Sequence, residues 1–391
     1  MTVDAFTTRT PRLALLCDAR GEDWPSMELE GEMLLAELRA RHGAQLDAHA
    51  IQPELPHLFR STPASARLAL NADRAIGRYL LYPARALAQR SRFDLFHVVD
   101  HTYAHLVNLL PARRTGVYCH DLDAFRCLLE PEREPRSFAF RTLARLSLRG
   151  LQRAAVVFHS THEVRSEIER HGLLDPDLLV HAPYGVAPEY GPESNPQDGS
   201  DTVLRRLGGR PFLLHVGGSS RRKRLDVLFE VFARVRVRRP ELWLVQQGAR
   251  LTRSQHAQVE RLGIDDALLQ PDRLDRVTLA GLYRRAEAVL LPSEAEGFGM
   301  PLVEALACGA RVFASDLPVF HEVGGQAVLY CPVGDVEVWA EQIEGRLFTA
   351  EPFPSLELRL AQAARFTWAR HADIIARTYL SLAQRQVERW A

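Results

Sequence analysis

Residues 286 to 309, AEAVLLPSEAEGFGMPLVEALACG, admit few folds. An apolar run from Ala288 to Leu291 stops at Pro292, Gly297, Phe298 and Gly299 form a loop, and a helix is expected to open at Pro301 and stop before Gly309. A strand that feeds a glycine loop and then a helix is half of a parallel-sheet unit. Gly297 and Gly299 permit backbone angles that other residues resist, and they place N–H groups at a helix N-terminus, which suits a phosphorylated or polyhydroxylated ligand. Glu296 stands at the start of this loop and Glu304 about one turn inside the helix. A second reading needs no ligand at all: Ser293-x-x-Glu296 as a capping box, Pro301 as a first-turn proline, Gly309 as a C-cap glycine and Glu304 as an acid facing the helix dipole.

The same alternation runs through the chain. Strands are expected at 12–17, 45–51, 93–99, 114–119, 154–159 and 178–182, and again at 211–218, 241–246, 266–270, 287–291, 310–314 and 327–331, with helical stretches between. That is an α/β chain with two doubly wound parallel sheets. A length of 391 residues accommodates two such domains. Proline, glycine, serine and acids cluster without apolar period around 191–211, so the expected division is 1–190, a linker over 191–210, 211–365, and a final helix in 366–391.

Composition narrows the function classes. The formal net charge is zero, with 46% apolar and 25% charged residues, which gives no basic excess for nucleic acid. No apolar run approaches the length of a membrane span, and the opening MTVDAFTTRTPR lacks a leader's apolar stretch, so a cytoplasmic location is expected. The five cysteines are scattered without a C-x-x-C pair, which argues against a disulfide frame or a zinc site and for buried, reduced thiols. Arg141, Arg145, Arg149 and Arg153 recur at four-residue spacing on one helix ridge, either as a solvated face or as a patch for anionic headgroups at the inner face of a membrane. Glu130, Glu132 and Glu134 just upstream weigh against the patch.

All but one of the 49 basic residues are arginine, and the exception is Lys223. It closes His215-Val216-Gly217-Gly218-Ser219-Ser220-Arg221-Arg222-Lys223, which follows an apolar strand and precedes an amphipathic helix, Leu225 to Val237. Taken alone, Arg-Arg-Lys-Arg reads equally as a solvated charge run. Together with the 286–309 stretch it resembles the retaining glycosyltransferases of family 4, whose signature has two glutamates with seven residues between them and places a lysine after a Val-Gly turn. The block ACGARVFASDLPVFHEV continues the resemblance, as does Leu282-Tyr283 upstream.

The resemblance implies a GT-B fold: two Rossmann-like domains, a cleft between them, and a final helix crossing back to the first. It implies a metal-independent, retaining transfer of a hexose from a nucleotide diphosphate sugar, of GDP-mannose or UDP-glucose type, to a hydroxyl acceptor in glycan or polysaccharide assembly. Donor binding falls to Gly217, Gly218, Arg222, Lys223, Glu296, Gly297, Phe298, Gly299, Met300, Pro301, Leu302 and Glu304. Within that set Lys223 and Arg222 meet the diphosphate, Glu296 the sugar and Glu304 the ribose. His120, in Val117-Tyr118-Cys119-His120-Asp121, matches the family's cleft-facing histidine, and His101 lies at another strand end. Catalysis is thus expected from His120, Glu296, Lys223 and Arg222, without a cofactor or metal. Asp121-Leu122-Asp123 is not taken as a metal motif, because lysine and arginine can neutralise a leaving diphosphate.

Three positions depart from the family pattern. Gly218 stands where many relatives carry arginine, the loop ARGEDWPSMELEGE lacks a glycine cluster, and Tyr184 and Ala187 replace the usual asparagine and aspartate around Gly185. Two alternatives remain: a non-catalytic sugar or nucleotide binder of this fold, and a glycan or trehalose phosphorylase. The sugar, the base, the acceptor and the oligomeric state are not legible.

Overall fold

The computed structural model describes residues 9–22, 25–59, 66–193, 195, 198–248, 250–349 and 351–388. The opening residues 1–8 therefore lie outside the described residues, as do Asp23 and Trp24 of the first loop and Ser194, Pro196 and Gln197 of the expected linker. The chain divides into two compact units, Met1–Gly185 with Trp368–Ala391, and Val186–Thr367.

Unit 1 is built on six parallel strands: β1 (Arg12–Leu16), β2 (Asp47–Ile51), β3 (Leu95–Val98), β4 (Thr115–Cys119), β5 (Val156–His159) and β6 (Leu179–His181). Their order is β2-β1-β3-β4-β5-β6, so the winding direction reverses between β1 and β3. Every residue of β3, β4 and β5 is buried, because helices cover both faces of a parallel sheet. The closing helix, Trp368–Glu388, belongs to this unit. Its Tyr379 hydroxyl reaches the Phe96 carbonyl and His97 Nδ1, both at 2.9 Å, and its Asp373 accepts from His42 Nε2 at 2.7 Å. On the helix Phe138–Arg153, Arg145, Arg149 and Arg153 lie on the outer side, and Phe138 beside them is 81% exposed. The upstream acids are turned to other partners, Glu130 to Arg126 and Arg133, and Glu134 to Arg136.

Unit 2 repeats the plan with β7 (Phe212–Val216), β8 (Trp243–Gln247), β9 (Leu268–Leu269), β10 (Ala288–Leu291), β11 (Val312–Ser315) and β12 (Leu329–Cys331). The order β12-β11-β10-β7-β8-β9 reverses between β7 and β10. The helix Leu225–Arg238 buries Leu225, Val227, Leu228, Phe229, Val231, Phe232 and Val235 against this sheet, each worth about 1.5–3 kcal/mol of apolar burial. All five cysteines are buried thiols. Among the described residues no helix is long and apolar enough to cross a membrane.

The segment expected as a linker does not behave as one. Residues 191–210 fall in unit 2 and hold a helix, Asp201–Leu207, whose Val203 and Leu207 are buried. Asp198, 3% exposed, anchors the segment through Arg284 and Arg285. A polar composition hid a pinned element, because much of the anchor is ionic: two apolar residues, Val203 and Leu207, are joined by the Asp198 ion pairs.

Candidate functional site

In a doubly wound sheet, the loops leaving the carboxyl ends of the two strands at the reversal splay apart and leave a crevice. In unit 2 those strands are β7 and β10. Their loops carry Lys223 and Glu296, and the structure joins them: Lys223 Nζ donates to Glu296 Oε1 at 2.6 Å, and Arg222 lies 3.5 Å from Oε2. Ser293 Oγ donates to the same Oε1 at 2.8 Å. Burial alone would raise the Glu296 carboxyl, but Lys223, Arg222 and Ser293 outweigh it and hold it below its ordinary value.

The chain needs an unusual turn to aim Lys223. Residues Arg221–Lys223 form one tight helical turn, and Arg224 then adopts φ 49, the one left-handed non-glycine residue among those described. This conformation costs about 1 kcal/mol and is held by Arg224's fork on Asp226, with contacts of 2.9 to 3.1 Å, and by Glu294 at 3.5 Å. It breaks the turn away from the helix Leu225–Arg238 and directs Lys223 to Glu296. A pocket of about 600 Å³ opens on the same loop, lined by Ser219, Ser220, Arg221, Thr252, Gln255 and Glu294 among others. Neither Lys223, Glu296 nor Glu304 lines it.

The helix after the glycine loop is Met300–Ala307, preceded by Gly299 at φ 89. A side chain at Gly299 would crowd the Phe320 ring, so glycine is required on both counts. The capping-box alternative for Ser293 and Glu296 is not what forms, since their side chains bond each other and the helix starts later. Two residues expected at the donor offer no free backbone donor: Leu302 is fully buried and its N–H goes to the Gly299 carbonyl at 2.9 Å, and Pro301 has no N–H. Gly217 is likewise occupied: its N–H donates to the Gln247 carbonyl at 2.9 Å and its own carbonyl accepts from Gln246 at 3.0 Å. Gly218 faces open space, with no atom within 4 Å of where a side chain would begin.

Glu304 does not join the Lys223 cluster. It is 7% exposed and accepts from the Tyr283 hydroxyl at 3.1 Å. Burial pushes its carboxyl up to about 7, against the opposing pull of Tyr283, Tyr190 and Arg276. Sequence reasoning missed Ser293, Tyr283 and Tyr190 as site residues. Leu282-Tyr283 carries part of the resemblance, but nothing local says where the hydroxyl points.

The two histidines belong to unit 1. His120 Nδ1 shares a short hydrogen bond with the Tyr184 hydroxyl, and its backbone N–H donates to His101 Nδ1 at 3.3 Å. Tyr184, a departure in sequence, is thus His120's partner, stacked on Tyr118. Burial lowers the His120 imidazole to about 4, so it stands neutral near pH 7. Asp18, Glu22, Glu30 and Asp100, none of them assigned a role from sequence, are buried in the same region.

Comparison with known proteins bears on both units. Residues 200–365 match the family described as Glycosyl transferases group 1. The O-antigen chain mannosyltransferase B of Escherichia coli is 27% identical over 310 residues, 74% of this chain and 75% of the relative. A D-inositol 3-phosphate glycosyltransferase of Stackebrandtia nassauensis is 33% identical over 232 residues, 54% of this chain and 51% of that relative, about half its length. Anabaena HepE, solved in complex with UDP and glucose, superposes with a TM-score of 0.69 at 18% identity, over 95% of this chain and 99% of that one. The fold class is that of the GT-B glycosyltransferases.

Proposed function

We propose, from the premise that residues 200–365 are a group 1 glycosyltransferase domain, that this chain is a retaining hexosyltransferase that takes its sugar from a nucleotide diphosphate donor and needs no metal at the diphosphate. The observation that carries the reading is the 2.6 Å contact between Lys223 and Glu296 at the sheet's reversal. A donor sugar and its phosphate are covalent neighbours, and here a carboxylate for hydroxyls adjoins an ammonium for phosphate oxygens. Lys223 has three N–H donors, so it can hold Glu296 and a phosphate oxygen together. In the reaction the bond from the anomeric carbon to the phosphate oxygen breaks, and the acceptor oxygen bonds that carbon from the same face. The acceptor proton passes to the departing phosphate oxygen. Lys223 and Arg222 stabilise the charge that develops there. His120 and the polar groups around it are the acceptor-side candidates. The relatives' names divide between mannose and glucose: the E. coli relative is a mannosyltransferase, and HepE was solved with UDP and glucose. For this chain a GDP-mannose or UDP-glucose donor fits equally.

A thermal-shift panel of UDP, GDP, ADP and dTDP tests the donor class. One nucleoside diphosphate at about 100 times its dissociation constant should stabilise the protein by roughly 2.7 kcal/mol, and a panel without any shift defeats the reading. Release of the free sugar phosphate with inorganic phosphate as acceptor would instead indicate a phosphorylase.

Glu304 adds a pH signature. An ionised carboxylate accepts both hydrogen bonds of a ribose diol, and a protonated one does not. With the Glu304 carboxyl at about 7, the folded protein keeps a proton that the unfolded chain releases at 4.5, so this group's contribution to stability falls as pH rises between those values. Donor binding must expel that proton below pH 7, and affinity for UDP-glucose or GDP-mannose should rise about tenfold from pH 6 to pH 8. Glu304→Gln should weaken binding and flatten the profile, as read by calorimetry. A wild-type profile already flat removes the ribose role.

A further inference from the structure

The winding of unit 1 sorts its helices. From β1 the chain steps to β2 on one side, then returns across the sheet to β3 and continues to β4 and β5 on the other. Right-handed crossovers therefore put the first helix, Pro25–His42, on one face of the sheet and the next three connections together on the opposite face. Those three are a helical run over Ala66–Ile76, Gly77–Leu81 and Tyr82–Gln89, a tight helical segment His101–Asn108, and the helix Phe138–Arg153. Their contacts make them one layer. His105 Nε2 donates to the Arg78 carbonyl at 2.9 Å, Ser147 Oγ to the Thr102 carbonyl at 3.0 Å, and Asn108 Nδ2 to the Leu146 carbonyl at 3.1 Å. Gly150 lies so close to the Ala104 carbonyl that no side chain would fit between them.

What this layer shows to water is unlike the rest of the molecule. Residues 68–92, 101–114 and 138–153 make up 55 of the 391 residues, yet they hold nine of the fourteen large apolar side chains exposed among the described residues. Leu80 is 64% exposed and Leu81 50%, beside the more exposed Phe138. Apolar residues scattered singly over a surface need no explanation, but this concentration does. Charge gathers in the same place. On a chain of zero net charge these segments carry eleven arginines and one acid, Asp73, which is buried and accepts from the Leu58 N–H at 3.0 Å. Arg78 turns inward, 3.5 Å from Glu22, whereas Arg85, Arg145, Arg149 and Arg153 are exposed. Glu130 and Glu134, just before the helix Phe138–Arg153, are met by Arg126, Arg133 and Arg136 and so leave that excess standing.

We propose that this face of unit 1 docks on the surface of a bilayer that contains anionic phospholipid, with Leu80, Leu81, Leu146 and Phe138 entering the headgroup boundary and the arginines meeting lipid phosphates. A lipid surface is negative at its phosphates and apolar just beneath them, so it matches both the charge and the exposed side chains. The arginine stems can lie along apolar neighbours while their guanidinium groups reach the phosphates. A second copy of the chain is a poor occupant, because pairing the face with itself would set arginine against arginine. A nucleic acid would satisfy the arginines through its phosphates and leave the leucines and phenylalanines unused. The face owes nothing to Lys223, Glu296 or His120, so it stands whether or not the protein transfers a sugar.

Co-sedimentation of the full-length protein with vesicles provides the test, using phosphatidylcholine alone and phosphatidylcholine with about one third phosphatidylglycerol. Affinity for the anionic vesicles should be higher by about tenfold or more. It should weaken without vanishing at about 0.5 M salt, because the apolar part of the contact is not screened. This comparison of lipids needs no substitution and decides even if a variant does not fold. Arg145→Glu with Arg149→Glu should weaken binding about tenfold, and Leu80→Ser with Phe138→Ser should do the same, with circular dichroism unchanged because all four side chains are exposed. Val237→Ser, which removes an 82% exposed apolar residue from unit 2, should bind like wild type. No binding to the anionic vesicles, equal binding to both kinds, or binding kept within twofold in both folded double variants would each overturn the proposal. So would tighter binding to a labelled oligonucleotide than to the anionic vesicles, unaffected by the Leu80 and Phe138 changes.

Discussion

Turnover should fall by about a hundredfold to a thousandfold when Lys223 becomes alanine, with the fold intact. The argument starts from the pair itself. Lys223 and Glu296 side chains are 14% and 7% exposed, so their interaction is little screened by water. On the proposed reading, removing the ammonium takes away the nearest cation for a departing diphosphate, whose charge grows as the bond from the anomeric carbon to the phosphate oxygen breaks. The loss should therefore appear in kcat more than in KM. Glu296 keeps Arg222 and Ser293 as partners, which is why unit 2 should still fold. With its strongest cation gone, the Glu296 carboxyl should also titrate higher than in the wild type, and the residual activity should gain a pH dependence in the acid range. Lys223→Arg tests geometry apart from charge: a planar fork cannot sit where a single nitrogen makes a 2.6 Å contact, so an intermediate loss of about tenfold is expected. Activity of Lys223→Ala within threefold of wild type, in initial-rate assays with a saturating donor, would sink the diphosphate assignment.

What is legible in this sequence follows from the physics of each feature. A parallel strand is buried on both faces, so its sequence is a nearly continuous apolar run, and RLALL, FDLFHVV and AAVVFH announce themselves. The single lysine among arginines is conspicuous for its chemistry, and the glycine loop for its backbone angles. What a local pattern cannot carry is which loops meet. Lys223 and Glu296 are 73 residues apart, and their contact depends on β7 and β10 being neighbours in the sheet. Asp18, Glu30 and Asp100 look like ordinary loop and helix acids, and only burial at the β1 and β3 ends sets them apart. The motif assigns Leu302 and Gly217 to the donor, yet hydrogen bonding inside the fold already uses their N–H groups.

Asp198→Ala should destabilise unit 2 by about 3 kcal/mol, the cost of breaking a buried ion pair from one side. Asp198 Oδ1 accepts from the Ser200 N–H at 3.0 Å and its hydroxyl at 2.5 Å, and Oδ2 accepts from Arg284 and Arg285, both at 3.1 Å. The Arg284 side chain is only 10% exposed, so alanine would leave a buried guanidinium without its carboxylate, held by the neutral Gly191 carbonyl at 3.0 Å. There is little slack to absorb the change, because the Asp198 carboxylate lies directly against Gly281, where no side chain would fit. For a unit of this size the loss corresponds to a melting point lower by roughly 6 to 12 °C. The sign with pH follows from the same contacts. Burial opposes ionisation of Asp198, but Ser200, Arg284 and Arg285 prevail and hold its carboxyl below the ordinary 3.8. Its stabilisation is therefore complete above about pH 4 and lost as pH falls through the lower folded value. The gap between wild type and Asp198→Ala should stay constant from pH 6 to 8 and narrow below pH 4. Asp198→Asn, which keeps the shape without the charge, should fall between them. A melting point within 2 °C of wild type for Asp198→Ala at neutral pH would show that the 191–210 segment is held by its apolar helix alone, and that the ionic anchor contributes nothing.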